Sequence, residues 1–157
     1  MREEDIQAEL SAGPLRRSVA VGALAGLGVV LGKVALDPQT TALWQGVCAL
    51  GAAGSLVLAV LSWQATAGRI VLTVEGLFDG TGRALATLDE IESIEAGAFS
   101  LKPSNGFAVR LKAKGLRAWA PGMYWRSGAR LGIGGVPAGR AARFMAERLD
   151  ALLKARA

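Results

Sequence analysis

The sequence predicts an α+β protein: a two-helix transmembrane hairpin, then a small antiparallel β domain of sandwich or open-barrel type, closed by a C-terminal amphipathic helix. Three observations lead there. Two apolar runs, Ser18 to Leu36 and Ala42 to Trp63, carry a single charge between them, Lys33. Each is close to the roughly 20 residues that cross a hydrocarbon core about 30 Å thick. After Gly68 the pattern changes from continuous apolar to alternating, the period-2 signature of strands. From Pro137 it changes again, to apolar residues at helical spacing. The 157 residues divide accordingly into an N-terminal segment (1–17), the hairpin (18–36 and 42–63) and a β domain (69–157) with its helix at 137–154.

In the N-terminal segment Ile6 and Leu10 lie one helical turn apart, which predicts a short helix over Glu3 to Leu10, ended by Gly13-Pro14. Its four acids (Glu3, Glu4, Asp5 and Glu9) complement a basic C-terminal half. They also argue against a cleaved leader, whose short N-terminal region is positive, and no small-x-small cleavage site stands at Asp37-Pro38. The first run is expected to persist as a helix.

Arg16 and Arg17 precede the first run and Arg69 follows the second, whereas the connecting Asp37 to Thr41 holds no Lys or Arg. Positive flanks stay cytoplasmic, so both termini are expected on that side. Lys33 sits near the outer end of its helix and extends its ammonium towards the headgroups. A role in an intramembrane pathway would need an acidic partner, which the second run lacks. Trp44 and Trp63 are 19 residues apart, roughly 28 Å along a helix, the separation of two aromatic belts. Small residues recur at four-residue intervals: Gly22 with Gly26 and Gly28 with Gly32 on the first helix, Ala49 with Ala53 and Gly51 with Ser55 on the second. Such faces let backbones approach closely, either within the hairpin or against a larger membrane partner.

Beyond the hairpin, Arg69 to Glu75 is rich in β-branched residues. Leu77-Phe78, the turn Asp79-Gly80-Thr81-Gly82 and Arg83 to Leu88 then read as a β-hairpin. Ile91 to Ala96 is a further strand candidate, and Pro103 to Gly106 a turn. Phe107 to Lys114 alternates, with Phe107, Val109, Leu111 and Ala113 on one face. Leu116 to Ala120 and Arg130 to Ile133 are shorter strands, separated by Pro121-Gly122 and a Ser127-Gly128 turn. Pro137 opens the last helix, whose apolar stripe is Phe144, Met145, Leu149, Leu152 and Leu153. Arg143 with Glu147 and Asp150 with Lys154 are spaced for surface pairs.

The order of elements and the run LTVEGLFDGTGRALATLDEIESIEAG resemble the bacterial pleckstrin-homology-like domains found beside two-helix membrane hairpins. The matching residues are Thr73, Glu75, Gly76 and Leu77, then Asp89, Ile91 and Ile94. The stretches NGFAVRL and APGMYWRSGARLGIGG are similar to small membrane proteins of alphaproteobacteria. The resemblance implies a pleckstrin-homology-like domain at the inner membrane of a bacterial cell, and it implies no catalytic residues. The Trp/Pro/Gly segment at 119–125 departs from the general pattern.

Histidine is absent and the lone cysteine, Cys48, lies mid-run. That removes His general bases, Ser-His-Asp triads, Cys/His zinc sites and disulfides. Gly132-Ile133-Gly134-Gly135 lacks the lysine of a phosphate loop and reads as a tight turn. Asp89, Glu90, Glu92 and Glu95 fit no calcium-loop spacing. No enzyme activity, cofactor or metal is expected.

Charge is uneven: Arg69 to Ala96 holds two basic and six acidic residues, net −4, and Gly97 to Ala157 holds twelve and two, net +10. Arg110, Lys112 and Lys114 project from one strand face, either as a solvated surface or as a dock for anionic lipid phosphate. No nucleic-acid recognition motif accompanies the charge, and no nucleic-acid partner is expected. Trp119, Tyr124, Trp125 and Arg126 cluster around Pro121-Gly122. They read as core strands at a bend, as a membrane-interface tip or as a protein-binding patch. Trp119 is assigned inward and Trp125 outward beside Arg126. The expected protein is a non-enzymatic membrane accessory or scaffold that docks on a larger membrane complex or on itself; the alternative is a module that senses anionic membrane lipid.

Overall fold

The computed structural model describes residues 6–95 and 103–156. Its elements are β1 (Ile6–Ser11), α1 (Pro14–Ala35), α2 (Ala42–Ala65), β2 (Arg69–Thr73), β3 (Gly76–Asp79), β4 (Ala84–Thr87), β5 (Ile91–Glu95), β6 (Phe107–Ala120), β7 (Tyr124–Ile133) and α3 (Gly139–Arg156). A short 3₁₀ turn, Leu88–Glu90, joins β4 to β5. The protein is therefore α+β: two long apolar helices, a four-stranded antiparallel sheet ordered β1-β2-β3-β4, a three-stranded one ordered β5-β6-β7, and a C-terminal helix.

The N-terminus departs most from the sequence reading. Ile6 to Ser11 is a strand rather than the end of a helix; Glu3 to Asp5 lie outside the described residues. Ile6 and Leu10 satisfy a helical repeat, but with Ala8 they also satisfy a period of two. Tertiary structure decides, because β2 takes β1 as its antiparallel neighbour, with Ser11 opposite Arg69 and Leu10 opposite Ile70. Leu10 becomes fully buried. Pro14 consequently starts α1 at its first position instead of ending a preceding helix. The helical hairpin is thus inserted between two hydrogen-bonded strands of the β domain, and β1 belongs to that domain.

α1 and α2 pack along small-residue seams. The less exposed positions are 17, 20, 21, 24, 25, 28, 31, 32 and 35 on α1 and 45, 48, 51, 52, 55, 59, 62 and 65 on α2. Each set recurs every three to four residues, the repeat of one helix face turned to a neighbour. A Cβ on Gly28 would stand 2.8 Å from Leu56 Cγ, and one on Gly51 3.1 Å from Leu31 Cδ1. Gly28 and Gly32 therefore face Ala52 and Leu56 across the seam, and Gly51 faces Leu31. Gly22 and Gly26 have no neighbour within 4 Å of a Cβ position. Ala49 and Ala53 are likewise exposed. Asp37 builds the turn: its Oδ1 accepts from Gln39 N and its backbone carbonyl from Gln45 Nε2, both at 2.9 Å.

The core joins both sheets and α3. Leu10, Ile70, Leu72 and Leu77 from the first sheet meet Val109, Leu111, Leu131 and Ile133 from the second, with Ala142, Met145 and Leu149 from the helix. α3 packs chiefly on β1. Its end is tied down where Arg156 Nη2 donates to Val74 O at 3.0 Å and Arg156 pairs with Asp89 at 3.3 Å. Of the expected stripe, Phe144 faces solvent beneath Arg148, and Ala142 takes its place. The Asp150–Lys154 pair forms; no Arg143–Glu147 pair occurs among the described residues.

The two strands expected over 107–120 merge into one, β6, and Ser127-Gly128 lies inside β7 as a register shift rather than a turn. The reversal is at Ala120-Pro121-Gly122-Met123, where Met123 N donates to Ala120 O at 3.0 Å. Pro at the second position and Gly122 at φ 79° make this a type II turn. The bulges let the long hairpin bend back on itself. Gly134 N reaches Met123 O at 2.8 Å and Val136 N reaches Gly122 O at 2.9 Å.

Candidate functional site

Sequence and fold converge on the junction between the helices and the first sheet. α2 has no basic residue in its last turn, so its carbonyl end carries an uncompensated partial negative charge. Arg17 of α1 supplies the counterpart: Nη2 donates to Trp63 O at 2.6 Å, and the guanidinium lies 3.7 Å from the centre of the Trp63 ring. Arg17 and Trp63 therefore form one joint that holds the two helices together at this end. The sequence could not reveal this pairing, because the partners are 46 residues apart.

Beside the joint a cleft of about 560 Å³ opens between the end of α2 and the first sheet. Glu9 of β1, Arg69 of β2, Asp79 of β3 and Tyr124 of β7 line it, with Gln64 and Gly68 from the helix end. Arg69 and Glu9 form a half-exposed ion pair at 3.4 Å. Asp79 Oδ1 accepts from Thr81 N at 2.9 Å, Thr81 Oγ1 at 2.6 Å and Arg83 N at 2.9 Å. Burial pushes the Asp79 carboxyl up, but these hydrogen bonds and the Arg83 charge outweigh it and hold the group below its ordinary value. Burial, and then the Asp79 charge, raise the Tyr124 phenol above its ordinary value. At neutral pH the cleft thus presents a firm carboxylate beside a protonated phenol.

The aromatic bend sits against this end of the helices. A Cβ on Gly122 would stand 3.3 Å from Thr66 Cγ2, and Ala120 and Met123 border the same cleft. Trp119 and Trp125 are directly opposite in register, yet their surroundings reverse the inward and outward assignment. Trp119 is 62% exposed. Trp125 is half-buried, its indole filling the space where Gly132 lacks a side chain. Arg126 also turns inward: it lies over Gly115, and its Nη1 donates to Leu85 O at 2.8 Å, tying β7 to β4. Of Trp119, Tyr124, Trp125 and Arg126, Tyr124 alone lines the cleft among the described residues.

Arg110, Lys112 and Lys114 are exposed on β6. Glu95 Oε1 holds Arg110 Nη2 at 3.3 Å and Arg130 Nε at 3.2 Å, so Lys112 and Lys114 are the members of that face with no ion pair among the described residues. Three of the four acids at 89–95 serve the fold: Asp89 meets Arg156, Glu90 Oε2 accepts from Thr87 N in a capping box, and Glu95 clamps two arginines. Among the described residues no three Asp, Glu, His or Cys side chains gather as a metal site. In comparisons with known families, curated proteins and solved structures, none matches the chain.

Proposed function

We propose that the chain is an integral inner-membrane protein whose hairpin crosses the bilayer twice and holds a pleckstrin-homology-like domain against the cytoplasmic face as a non-enzymatic accessory module. The observation that carries this reading is the insertion of the hairpin between β1 and β2. With Ser11 opposite Arg69, the two helices must leave and return on one side of the domain. That agrees with the basic flanks Arg16, Arg17 and Arg69 and with the uncharged turn at Asp37 to Thr41. Leu15, Val30, Leu43, Leu50 and Val57 are exposed along the helices, which suits contact with lipid tails. The four-plus-three division of strands and the closing helix support the domain type.

The module docks on a larger membrane assembly or on a second copy, and the faces outside the hairpin seam, Gly22/Gly26 and Ala49/Ala53, support this. Anionic-lipid sensing through β6 is the weaker alternative, because Arg110 is paired with Glu95. Single cysteines at Gln39 and Thr81 test the topology. In intact cells an impermeant thiol reagent is expected to label only position 39; labelling at position 81 would overturn the orientation. Alkaline carbonate should leave the protein in the pellet.

A further inference from the structure

The turn end of the β6–β7 hairpin joins charge to exposed apolar surface in a way that the accessory reading does not use. From Phe107 to Ile133 the chain holds six basic residues and no Asp or Glu. Glu95 holds Arg110 and Arg130, and Arg126 turns inward to Leu85. Lys112, Lys114 and Arg117 are exposed, with no ion pair among the described residues. Beside them Leu116 is 86% and Trp119 62% exposed, more than any other large apolar side chain described in the β domain. The two leave the hairpin on opposite faces. Leu116 and Ala118 border one small cavity with Arg83 and Leu85. Trp119 follows Ala118 in the strand and so projects the other way, alongside Trp125. This end of the hairpin also meets the helices. β6 touches α2, and a Cβ on Gly122 in the turn would stand 3.3 Å from Cγ2 of Thr66, the residue that caps α2.

We propose that the tip of the β6–β7 hairpin dips into the cytoplasmic leaflet as a third membrane contact. Trp119 and Leu116 enter between the headgroups of anionic phospholipid, and Lys112, Lys114 and Arg117 lie against the phosphates. This rests on the membrane reading above, which sets the end of α2, and the turn packed on it, at headgroup level. An exposed tryptophan is favoured at that level. Basic residues without an acid among them complement an anionic leaflet. Lipid also suits the hairpin better than a protein partner does. A protein covers one face of a two-stranded ribbon, whereas lipid surrounds both, and here apolar side chains leave from both. The contact fixes the tilt of the domain about its two connections to the helices.

Bimane on single cysteines tests this in the full chain, with Cys48→Ala as background, in nanodiscs of phosphatidylcholine and phosphatidylglycerol. Leu116→Cys and Trp119→Cys report the tip. Val74→Cys, just past the end of β2 away from the helices, and Leu50→Cys, exposed midway along α2, are the controls. Nitroxide-labelled lipid should quench the fluorophore at 116 and 119 several-fold more than at 74, and Trp119→Ser should lower the quenching at 116. Quenching at the tip no greater than at 74 overturns the proposal. Protection of the tip from lipid nitroxide and aqueous iodide alike would mean a protein cover and overturns it too. Replacing phosphatidylglycerol by phosphatidylcholine should weaken the tip quenching several-fold, as should Arg117→Glu; indifference to both overturns the anionic occupant. Should one labelled tip variant melt below the wild type, the other decides alone. Position 50 separates the two readings. If lipid does not quench it, the membrane reading fails and this one with it, whereas quenching at 50 without quenching at the tip contradicts the tip contact alone.

Discussion

Trp119 and Trp125 share a register position but not an environment, and a residue seven places away makes the difference. Gly132 leaves the space that the Trp125 indole fills, so Trp125→Ala should destabilise the domain by about 2–3 kcal/mol, somewhat below a fully buried tryptophan. Trp119→Ala should leave the melting temperature in detergent unchanged; a lower one would show Trp119 to be structural. Asp79 adds a pH dependence. Its carboxyl is held below its ordinary value of 3.8 in the folded state, so its contribution is complete above that value and is lost as pH falls through the lower folded-state value. The stability gap between wild type and Asp79→Ala should therefore close in acid, and a gap that persists would show that the turn does not depend on the charge. Neither environment was legible locally. Gly132 and Trp125, Leu85 and Arg126, and Trp63 and Arg17 meet only through the bent β6–β7 hairpin and the helix pairing.

Elements with one dominant period were readable. The apolar runs became α1 and α2, and the alternation over 69–95 became β2 to β5 within a residue or two, apart from Ala96, which lies outside the described residues. Ile6 to Leu10 was ambiguous because five residues fit periods of two and four equally, and only the unpaired edge of β2 distinguishes them. The helix seam was half legible: four-residue spacing found small faces, but which of them meet depends on rotation about the axis. That choice gives a sharp contrast. Gly28→Leu should lower the melting temperature of the protein in detergent, since even a Cβ there crowds Leu56, while Gly26→Leu should not. Equal tolerance would place the seam elsewhere. Loss of native-gel complexes in Gly26→Leu with an intact hairpin would identify the outer face as the docking surface.

Across the whole molecule, the hairpin behaves as a long insertion in an otherwise continuous sheet. Because β1 and β2 are hydrogen-bonded neighbours, the first sheet is complete only when the strands at both ends of the hairpin are present. A fragment beginning at Arg69 lacks Leu10 and leaves the edge of β2 open, a state prone to aggregation. The direct test replaces residues 12–68 with a two-residue Asn-Gly turn joining Ser11 to Arg69, the connection suited to an antiparallel pair. That chain should be soluble and unfold cooperatively, Leu10→Ala within it should cost about 2–5 kcal/mol, and the 69–157 fragment should not fold. A 69–157 fragment with the same melting temperature as the rejoined chain would contradict the inserted-hairpin architecture.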